Sequence, residues 1–237
     1  MSRPERQTRG VGVYQELRGP RTGAVLWRVR AEAGHRVLPD GALDLLWWRE
    51  RLAVAGPDTS AVLVDAEPGE VITGLRFPPG TAAELLGVPA AELVDTRTDL
   101  TDLVGTRGTG PTRRTERPEE LLEQVYVALW RRADPDRAAL RLAAALDRQL
   151  SVGTPVAAVA AVLGVPARSL YRASVRAFGY GPKTLARIRR FQRALDEARH
   201  GRPLAEVAAV TGYTDQAHLT REVGRLAGLP PRRLLGG

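Results

Sequence analysis

An internal repeat in the last third of this 237-residue chain constrains its fold more than any other feature of the sequence. The apolar pattern of residues 156–164 recurs 48 positions later, at residues 204–212. The shared positions are Val156, Val159, Ala160, Val162 and Gly164 in the first copy and Leu204, Val207, Ala208, Val210 and Gly212 in the second. One extra residue then enters the second copy, so that Leu170, Arg172 and Gly179 recur as Leu219, Arg221 and Gly228. Such self-similarity predicts two equivalent structural units.

Proline and glycine residues divide the chain from Pro118 onward into short helices. Proline is favoured at the first position of a helix and glycine just after its last position. The predicted helices span residues 118–132, 135–150, 155–163, 166–178, 182–200, 203–211 and 215–227, and a terminal turn begins at Pro231. Each repeat is therefore a short helix, a tight turn at Gly164 or Gly212, and a second helix. This is the layout of a helix-turn-helix, in which the second helix enters the major groove of DNA.

The distribution of charge supports this interpretation. The formal net charge is +8, but residues 1–134 hold 18 Lys and Arg against 20 Asp and Glu, whereas residues 135–237 hold 17 against 7. A basic domain attracts a polyanion, most simply nucleic acid. One such helix pair could be a generic hairpin, but two copies in a basic domain favour a tandem helix-turn-helix that binds double-stranded DNA.

The first half of the chain is predicted to be rich in strands. In residues 25–30, Val25, Trp27 and Val29 share one face, which is the pattern of a strand with one buried face. Further strands are predicted at residues 43–49, 52–55, 61–65 and 71–77, and short helices at 82–86 and 90–93. Short strands separated by Gly, Pro and Asp turns indicate a small barrel or sandwich.

The predicted fold class is α+β, with a strand-rich, barrel-like or sandwich-like N-terminal domain followed by an all-α tandem helix-turn-helix domain. A sensor or assembly domain is expected over residues 1–110, a linker and connecting helix over 111–134, and the DNA-binding domain over 135–237. The segment 106–117, rich in Gly, Pro, Thr and Arg, is the expected linker.

Composition excludes several kinds of site. The chain has no cysteine, which excludes disulfides, thiol catalysis and cysteine-ligated metals. With only three histidines, no metal site and no cofactor is predicted. No apolar run is long enough for a membrane span, and residues 1–10 lack the apolar core of a secretory signal. We therefore expect a cytoplasmic protein without membrane association.

Residues of both repeats resemble a known family. The run AAVTGYTDQAHLTR at 208–221, followed by GLPPRRL at 228–234, resembles the second helix-turn-helix of AraC-type transcriptional regulators. The first copy is similar through GVPARSLYR at 164–172 and GYGPKTL at 179–185. The resemblance covers about residues 140–235. It departs from the family at Ser174 and Val223, where a core aromatic residue is usual, and at Gly224, which replaces a helix former at a cost of about 1 kcal/mol.

The N-terminal half carries a weaker resemblance. The runs HRVLPDGALD at 35–44, GLRF at 74–77 and LLGVP at 85–89 are similar to a sensor-like domain that precedes such DNA-binding halves. Within these runs, His35, Asp40 and Asp44 could suggest a metal or acid–base site, but one histidine with two carboxylates around a turn occurs often by chance, so no such site is predicted. Arg76 is expected to pair with a carboxylate such as Asp44 rather than to anchor an anionic ligand.

The second helix of each repeat carries the candidate DNA-binding residues. Leu170 and Leu219 are assigned to the core, and long polar side chains project from the other faces at helical spacing. The predicted contacts are Arg168, Tyr171, Arg172 and Arg176 in the first copy and Gln216, His218, Thr220 and Arg221 in the second. Arginine pairs bidentately with guanine, and glutamine pairs with adenine.

The helix predicted over residues 182–200 is expected to act as a spacer. Its apolar stripe should pack against both repeats. The stripe consists of Leu185, Ile188, Phe191, Leu195 and Ala198. At 1.5 Å per residue the helix is about 28 Å long, so recognition helices at its ends could meet major-groove segments about 34 Å apart. Its basic residues are expected on a solvated face, with phosphate contact as the alternative. They are Lys183, Arg187, Arg189, Arg190 and Arg193.

These features predict a sequence-specific DNA-binding transcription regulator that is not an enzyme and reads two adjacent major-groove segments with two recognition helices. The N-terminal half is expected to bind a small-molecule effector or to form a homodimer. Trp47 and Trp48 must point to opposite faces of their strand, so one of them can line a cavity or a subunit contact. The alternatives are a DNA-modifying or repair enzyme that docks through its helical half, and an assembly protein without salt-dependent retention on duplex DNA.

Overall fold

The computed structural model describes residues 14–105 and 115–236. Most of the predicted linker, residues 106–114, lies outside the described residues. The described strands are β1 Tyr14–Arg18, β2 Val25–Arg30, β3 Arg36–Val37, β4 Asp44–Trp48, β5 Arg51–Ala55, β6 Val62–Leu63, β7 Val71–Arg76 and β8 Arg97–Asp99. Six strands form an antiparallel sheet in the order β1-β2-β7-β4-β5-β8, and β3 pairs with β6 in a two-stranded sheet.

Helices follow the strands along the chain. Three short ones belong to the N-terminal part: α1 Thr81–Leu86, a 3-10 helix at Ala90–Leu93, and α2 Leu100–Val104. The remaining helices are α3 Pro118–Arg132, α4 Arg137–Ser151, α5 Val156–Val162, α6 Ala167–Phe178, α7 Pro182–Arg199, α8 Leu204–Thr211, α9 Gln216–Ala227 and α10 Pro231–Leu234. The predicted α+β class is confirmed, because a sheet-rich N-terminal domain precedes a helical C-terminal domain.

One face of the six-stranded sheet packs against helix α3. Leu26, Leu75 and Leu45 lie side by side across β2, β7 and β4 and are fully buried. Helix α3 adds Leu122 and Leu129 to the same core. Full burial of a leucine contributes roughly 1.5–3 kcal/mol, so this cluster anchors α3 to the sheet.

The opposite face of the sheet lines a cavity of about 270 Å³. Trp27 points into this cavity, whereas its neighbour Leu26 lies in the core, so both faces of β2 are covered. The side chains of β2 therefore alternate between two faces as predicted. The apolar core, however, lies on the face of Leu26 and not on the face of Trp27, which was predicted to be the buried one. Trp47 and Trp48 point to opposite faces as predicted: Trp47 lies in the core and Trp48 lines the cavity.

Helix α7 divides the core of the helical domain in two. Leu185 and Ile188, in its first half, pack with helices α4, α5 and α6. Phe191 and Leu195, in its second half, pack with α8 and α9. The predicted contact of this stripe with both repeats is therefore confirmed.

The two domains touch through the loop between β3 and β4, residues 38–42, here called the 38–42 loop. Gln192 of α7 donates a hydrogen bond to the carbonyl of Pro39 at 2.6 Å. Arg189, one turn earlier, donates to the carbonyl of Asp40 at 2.5 Å. The loop thus holds the helix that separates the two repeats.

A second contact joins the β3–β6 region to the end of α9. Arg36 donates to the carbonyl of Ala227 at 3.0 Å, and the backbone N–H of Ala61 donates to the carbonyl of Leu226 at 2.7 Å. The N-terminal domain therefore contacts both halves of the helical domain. No single helix within residues 14–105 and 115–236 is long and apolar enough to cross a membrane.

Candidate nucleic-acid interface

The two repeats fold as two helix-turn-helix units. Helices α5 and α6 meet at an angle of 104°, within the range of about 90–120° for this motif. The turns need a left-handed residue, and Gly164 and Gly212 adopt φ of 65° and 80°. In the second unit the carboxylate of Asp215 accepts a 2.6 Å hydrogen bond from the backbone N–H of His218 and so caps the start of α9.

Helix α6 presents a basic surface at its N-terminal end. Leu170 is buried in the core, as assigned from the sequence, while Arg168 and Arg172 are exposed. The ring of Tyr171 is 57% exposed and lies against the backbone of Gly181, where a Cβ would stand 2.6 Å from a ring carbon. Two guanidinium groups and one aromatic ring therefore project together from α6.

Arg176, at the other end of α6, is engaged by the N-terminal domain. Its Nε donates to Glu84 of α1 at 3.0 Å. The same carboxylate accepts a hydrogen bond from the backbone N–H of Asp136, at the start of α4. Of the four residues predicted in this helix, Arg176 is thus the one whose guanidinium holds the two domains together.

Helix α9 presents Gln216 and Arg221 to solvent. Leu219 is buried as assigned, and Thr220 is half-buried. The imidazole of His218 packs edge-on against Tyr213, with ring centroids 5.2 Å apart. The structure therefore places Gln216 and Arg221 outward and gives His218 a packing role at the turn.

The arginines of α7 have more contacts with the protein than the sequence indicated. Arg189 pairs with Asp147, and Arg193 donates to the carbonyls of Leu150 and Ser151 at the end of α4. Phosphate contact by these two side chains stays an untested alternative. The position of Arg193 is explained by free carbonyls at the end of α4, which a nearby cation can satisfy.

Arg190 of α7 positions the second helix-turn-helix. Its guanidinium lies 4.4 Å from the ring centroid of Tyr213 and donates to the carbonyl of Gly212 at 3.4 Å. It also forms an ion pair with Glu222 of α9, at 3.3 Å. One side chain thus connects α7, the turn and α9. These contacts leave no signal in the sequence, because they join Arg190 to residues that lie 22 to 32 positions later in the chain.

Ser174, where the resembling family usually has an aromatic residue, is fully buried in α6. Its hydroxyl donates to the carbonyl of Tyr180 at 2.7 Å, and Phe178 and Tyr180 fill the surrounding core. At the equivalent place in α9, Val223 is buried with Leu226. Both departures are therefore accommodated in packed cores.

A second candidate site is the cavity on the sheet, which contains a cluster of charged groups. Arg76 pairs with Asp40 at 2.6 Å and lies 3.4 Å from Asp44, so its predicted pairing with a carboxylate is present. Burial raises the pKa of Asp44 despite the opposing effect of Arg76. The pKa of Arg76 is raised, chiefly by Asp40. No group of three His, Asp or Glu side chains within the described parts of the chain could hold a metal ion.

Comparison with protein families identifies two segments. Residues 159–236 match a family described as a helix-turn-helix domain. Residues 24–99 match a family described as a domain of unknown function, DUF6597. No curated protein matches the sequence.

Three solved structures illustrate the similarity of the chain to known folds. The crystal structure of ToxT from Vibrio cholerae O395 is 8% identical, with a TM-score of 0.48, over 94% of this chain and 98% of that one. The same protein bound to (E)-4-(8-methylnaphthalen-1-yl)but-3-enoic acid gives the same values. Wild-type ToxT from strain SCE256, bound to an unsaturated fatty acid, is 10% identical with a TM-score of 0.43, over 84% and 85%. At this distance the similarity does not extend to ligand or function.

Proposed function

We propose that this chain, whose C-terminal part is a helix-turn-helix domain of the AraC type, reads two adjacent major-groove segments of duplex DNA with α6 and α9. A domain of this type supports a DNA-binding transcription regulator, and such regulators are typically not enzymes. The observation that carries the proposal of two-segment reading is the pair of equivalent arginines, Arg172 and Arg221. Each is exposed at the same place in its recognition helix, and the structure describes no ion pair for either.

The geometry of α7 supports simultaneous reading by both helices. Its 18 residues correspond to about 27 Å at 1.5 Å per residue. Because each half of α7 belongs to the core of one unit, the separation of the two units is fixed. Major-groove segments on one face of the duplex recur about 34 Å apart, a distance that helices packed off the two ends of α7 can span.

An insertion experiment tests the two-segment arrangement. A site is first selected from random duplexes with the full chain, and the two protected segments are located by footprinting. Insertion of about 5 bp between them, half a helical turn, should abolish joint binding because the segments then face opposite sides of the duplex. Insertion of about 5 bp outside the two segments is the control for altered DNA length and should leave joint binding unchanged. Equal affinity for the original and the half-turn duplex would contradict the proposal.

The salt dependence of the same binding separates a DNA reader from an assembly protein. Affinity should fall steeply with salt, because each neutralised phosphate releases counterions. Retention on duplex DNA that is weak and independent of salt would favour an assembly protein.

We further propose that the chain acts in the cytoplasm, where it can meet DNA, and that its N-terminal half binds a small-molecule effector. Homodimerisation through that half remains a prediction, to be tested by light scattering.

A further inference from the structure

The cavity on the sheet has an aromatic floor. Trp27 lies on β2, and its indole N–H donates a 3.0 Å hydrogen bond to Asp44 at the start of β4. The ring of Tyr14 stacks beside it, with centroids 6.2 Å apart. Trp48, on the same face of the sheet, also lines the cavity. The volume of the cavity, about 270 Å³, is close to the lower end of the range for small-molecule sites, about 300–1,000 Å³.

Negative charge predominates beside this floor. Asp40 and Asp44 both contact the guanidinium of Arg76, and Glu16 accepts a 2.7 Å hydrogen bond from the hydroxyl of Tyr14. Three carboxylates and one guanidinium thus line this part of the cavity. Because Arg76 is already paired on two sides, it is poorly placed to receive an anionic ligand.

The remaining charged groups that line the cavity are engaged elsewhere. Arg97 forms a two-pronged pair with Asp58, at 2.9 and 2.7 Å. Arg36 donates to the carbonyl of Ala227, and Arg199 lies 3.6 Å from Asp196. The aromatic floor and its three carboxylates therefore form a distinct negative end of the cavity.

Three buried polar atoms of residues that line the cavity have no hydrogen-bond partner among the described residues: Nδ1 of His35, Nε1 of Trp48 and Nε of Arg76. Nδ1 of His35, whose residue is only 5% exposed, is the one of the three that can accept a hydrogen bond. Burial lowers the pKa of this imidazole, so it is neutral at physiological pH. A neutral imidazole offers one acceptor nitrogen, and a ligand with an N–H group can donate to it. A buried unpaired atom of this kind is costly, and a bound ligand removes the cost.

We infer that this cavity binds a small organic cation, an amine with an apolar body, with Trp27 against the cationic group and Asp44 and Glu16 as its counter-charges. Cations are attracted to the face of tryptophan, most strongly where water is excluded. The inference rests on the proposed effector-binding role of the N-terminal half and specifies the chemistry of the effector.

The same site has a direct connection to the DNA-binding half. Gln192 of α7 lines the cavity and also holds the carbonyl of Pro39. Asp40 contacts Arg76 through its carboxylate and Arg189 of α7 through its carbonyl. A cation that pairs with Asp44 competes with Arg76, whose other partner is Asp40 of the 38–42 loop. Occupancy of the cavity therefore alters how the N-terminal domain contacts α7.

Matched ligands on the full chain test the inference. The probes are 2-phenylethylammonium, its neutral isostere 2-phenylethanol and the anion 3-phenylpropionate. Their binding is measured by calorimetry and by tryptophan fluorescence at constant ionic strength. The cation should bind roughly tenfold tighter than the alcohol, since about 1–2 kcal/mol is expected from the ring and the carboxylates. The anion should bind weakest. Equal or tighter binding of the alcohol or the anion, or no binding of any probe at millimolar concentration, would overturn the inference.

Variants locate the site. Glu16→Gln changes an exposed residue and should weaken cation binding several-fold without affecting the fold, which thermal unfolding verifies. Trp27→Leu should weaken it further. Asp102→Asn, on the exposed side of α2, is the control and should have no effect. Unchanged cation affinity in Glu16→Gln and Trp27→Leu would also overturn the inference.

Duplex binding is measured on the same preparation. A chain that binds duplex DNA but no cation contradicts the inference and leaves the proposed regulator standing. A chain that binds the cation but no DNA contradicts the proposed regulator and supports the cation site. The two failures are therefore distinguishable.

Discussion

The indole of Trp27 lies against the backbone of Gly74 on the neighbouring strand. A Cβ at Gly74 would stand 2.3 Å from two carbons of the ring, a separation that side chains do not tolerate. Gly74 has an ordinary strand conformation, so its role is to leave room for the ring rather than to permit an unusual backbone. The floor of the cavity therefore depends on the absence of one methyl group.

Gly74→Ala should displace the indole and destabilise the protein by about 1–3 kcal/mol, the usual cost of overpacking. Denaturant unfolding measures the loss, and tryptophan emission reports the displacement. Unchanged stability with unchanged emission would contradict the close contact between the ring and Gly74.

Gly224→Ala should have the opposite effect on stability and stabilise the protein. Gly224 is helical, and no atom lies within 4 Å of the position that a Cβ would occupy, so alanine fits without strain. Alanine is favoured over glycine in a helix interior by about 1 kcal/mol, and we expect a gain of that size in the free energy of unfolding. Because Gly224 follows the exposed stretch of α9, DNA affinity should not change.

Arg172→Ala and Arg221→Ala should each reduce discrimination between the selected site and random duplex by roughly 1–3 kcal/mol, if these side chains read bases. Fluorescence anisotropy with both duplexes measures the difference. Arg30→Ala removes the same charge from an exposed strand of the N-terminal domain and serves as the control. Equal losses on specific and random DNA would mean that the arginines contact only phosphate.

Glu84→Gln should raise DNA affinity about two- to fivefold at low salt. The substitution releases Arg176 from an exposed interdomain ion pair, and such pairs are worth up to about 1 kcal/mol. In the double variant with Arg176→Ala the gain should disappear. A gain that persists without Arg176 would point to a general charge effect.

His35→Gln should make stability less dependent on pH between about pH 7 and 5. Burial lowers the pKa of His35, so in acid the unfolded chain takes up a proton, near pH 6.5, before the folded chain does. The free energy of unfolding therefore falls as the pH drops through this range, and the variant loses that contribution. Urea titrations at several pH values measure the slope. His200→Gln, at an exposed position, is the control and should keep the slope of the original chain.

The helical half was predictable because its signals are local. Gly179, Gly212 and Gly228 end their helices in the left-handed conformation that glycine favours, close to where the sequence places the boundaries. Leu170 and Leu219 were assigned to the core by spacing alone and are buried.

The strands β1, β3 and β8 were not predicted, because their residues are mostly polar and show no apolar alternation. Strands β3 and β8 also depend on partners far along the chain, β6 and β5. Helix α2, which directly follows β8, was not predicted either. The contact between the domains was equally inaccessible. Arg189 was expected on a solvated face of its helix, and Gln192 had no predicted role. Their partners are the backbone carbonyls of residues 39 and 40, and the sequence does not indicate which carbonyls a side chain will meet.

The division of α7 between two cores has a consequence for how the chain can change during evolution. Each added or deleted residue in a helix rotates everything beyond it by about 100° and shifts it by 1.5 Å. A single insertion between Ile188 and Phe191 would turn the second apolar stripe away from α8 and α9, so such changes are eliminated by loss of folding. If α6 and α9 read two DNA segments as proposed, related chains that keep this architecture should diversify through the bases they prefer, while the spacing between the two segments stays constant.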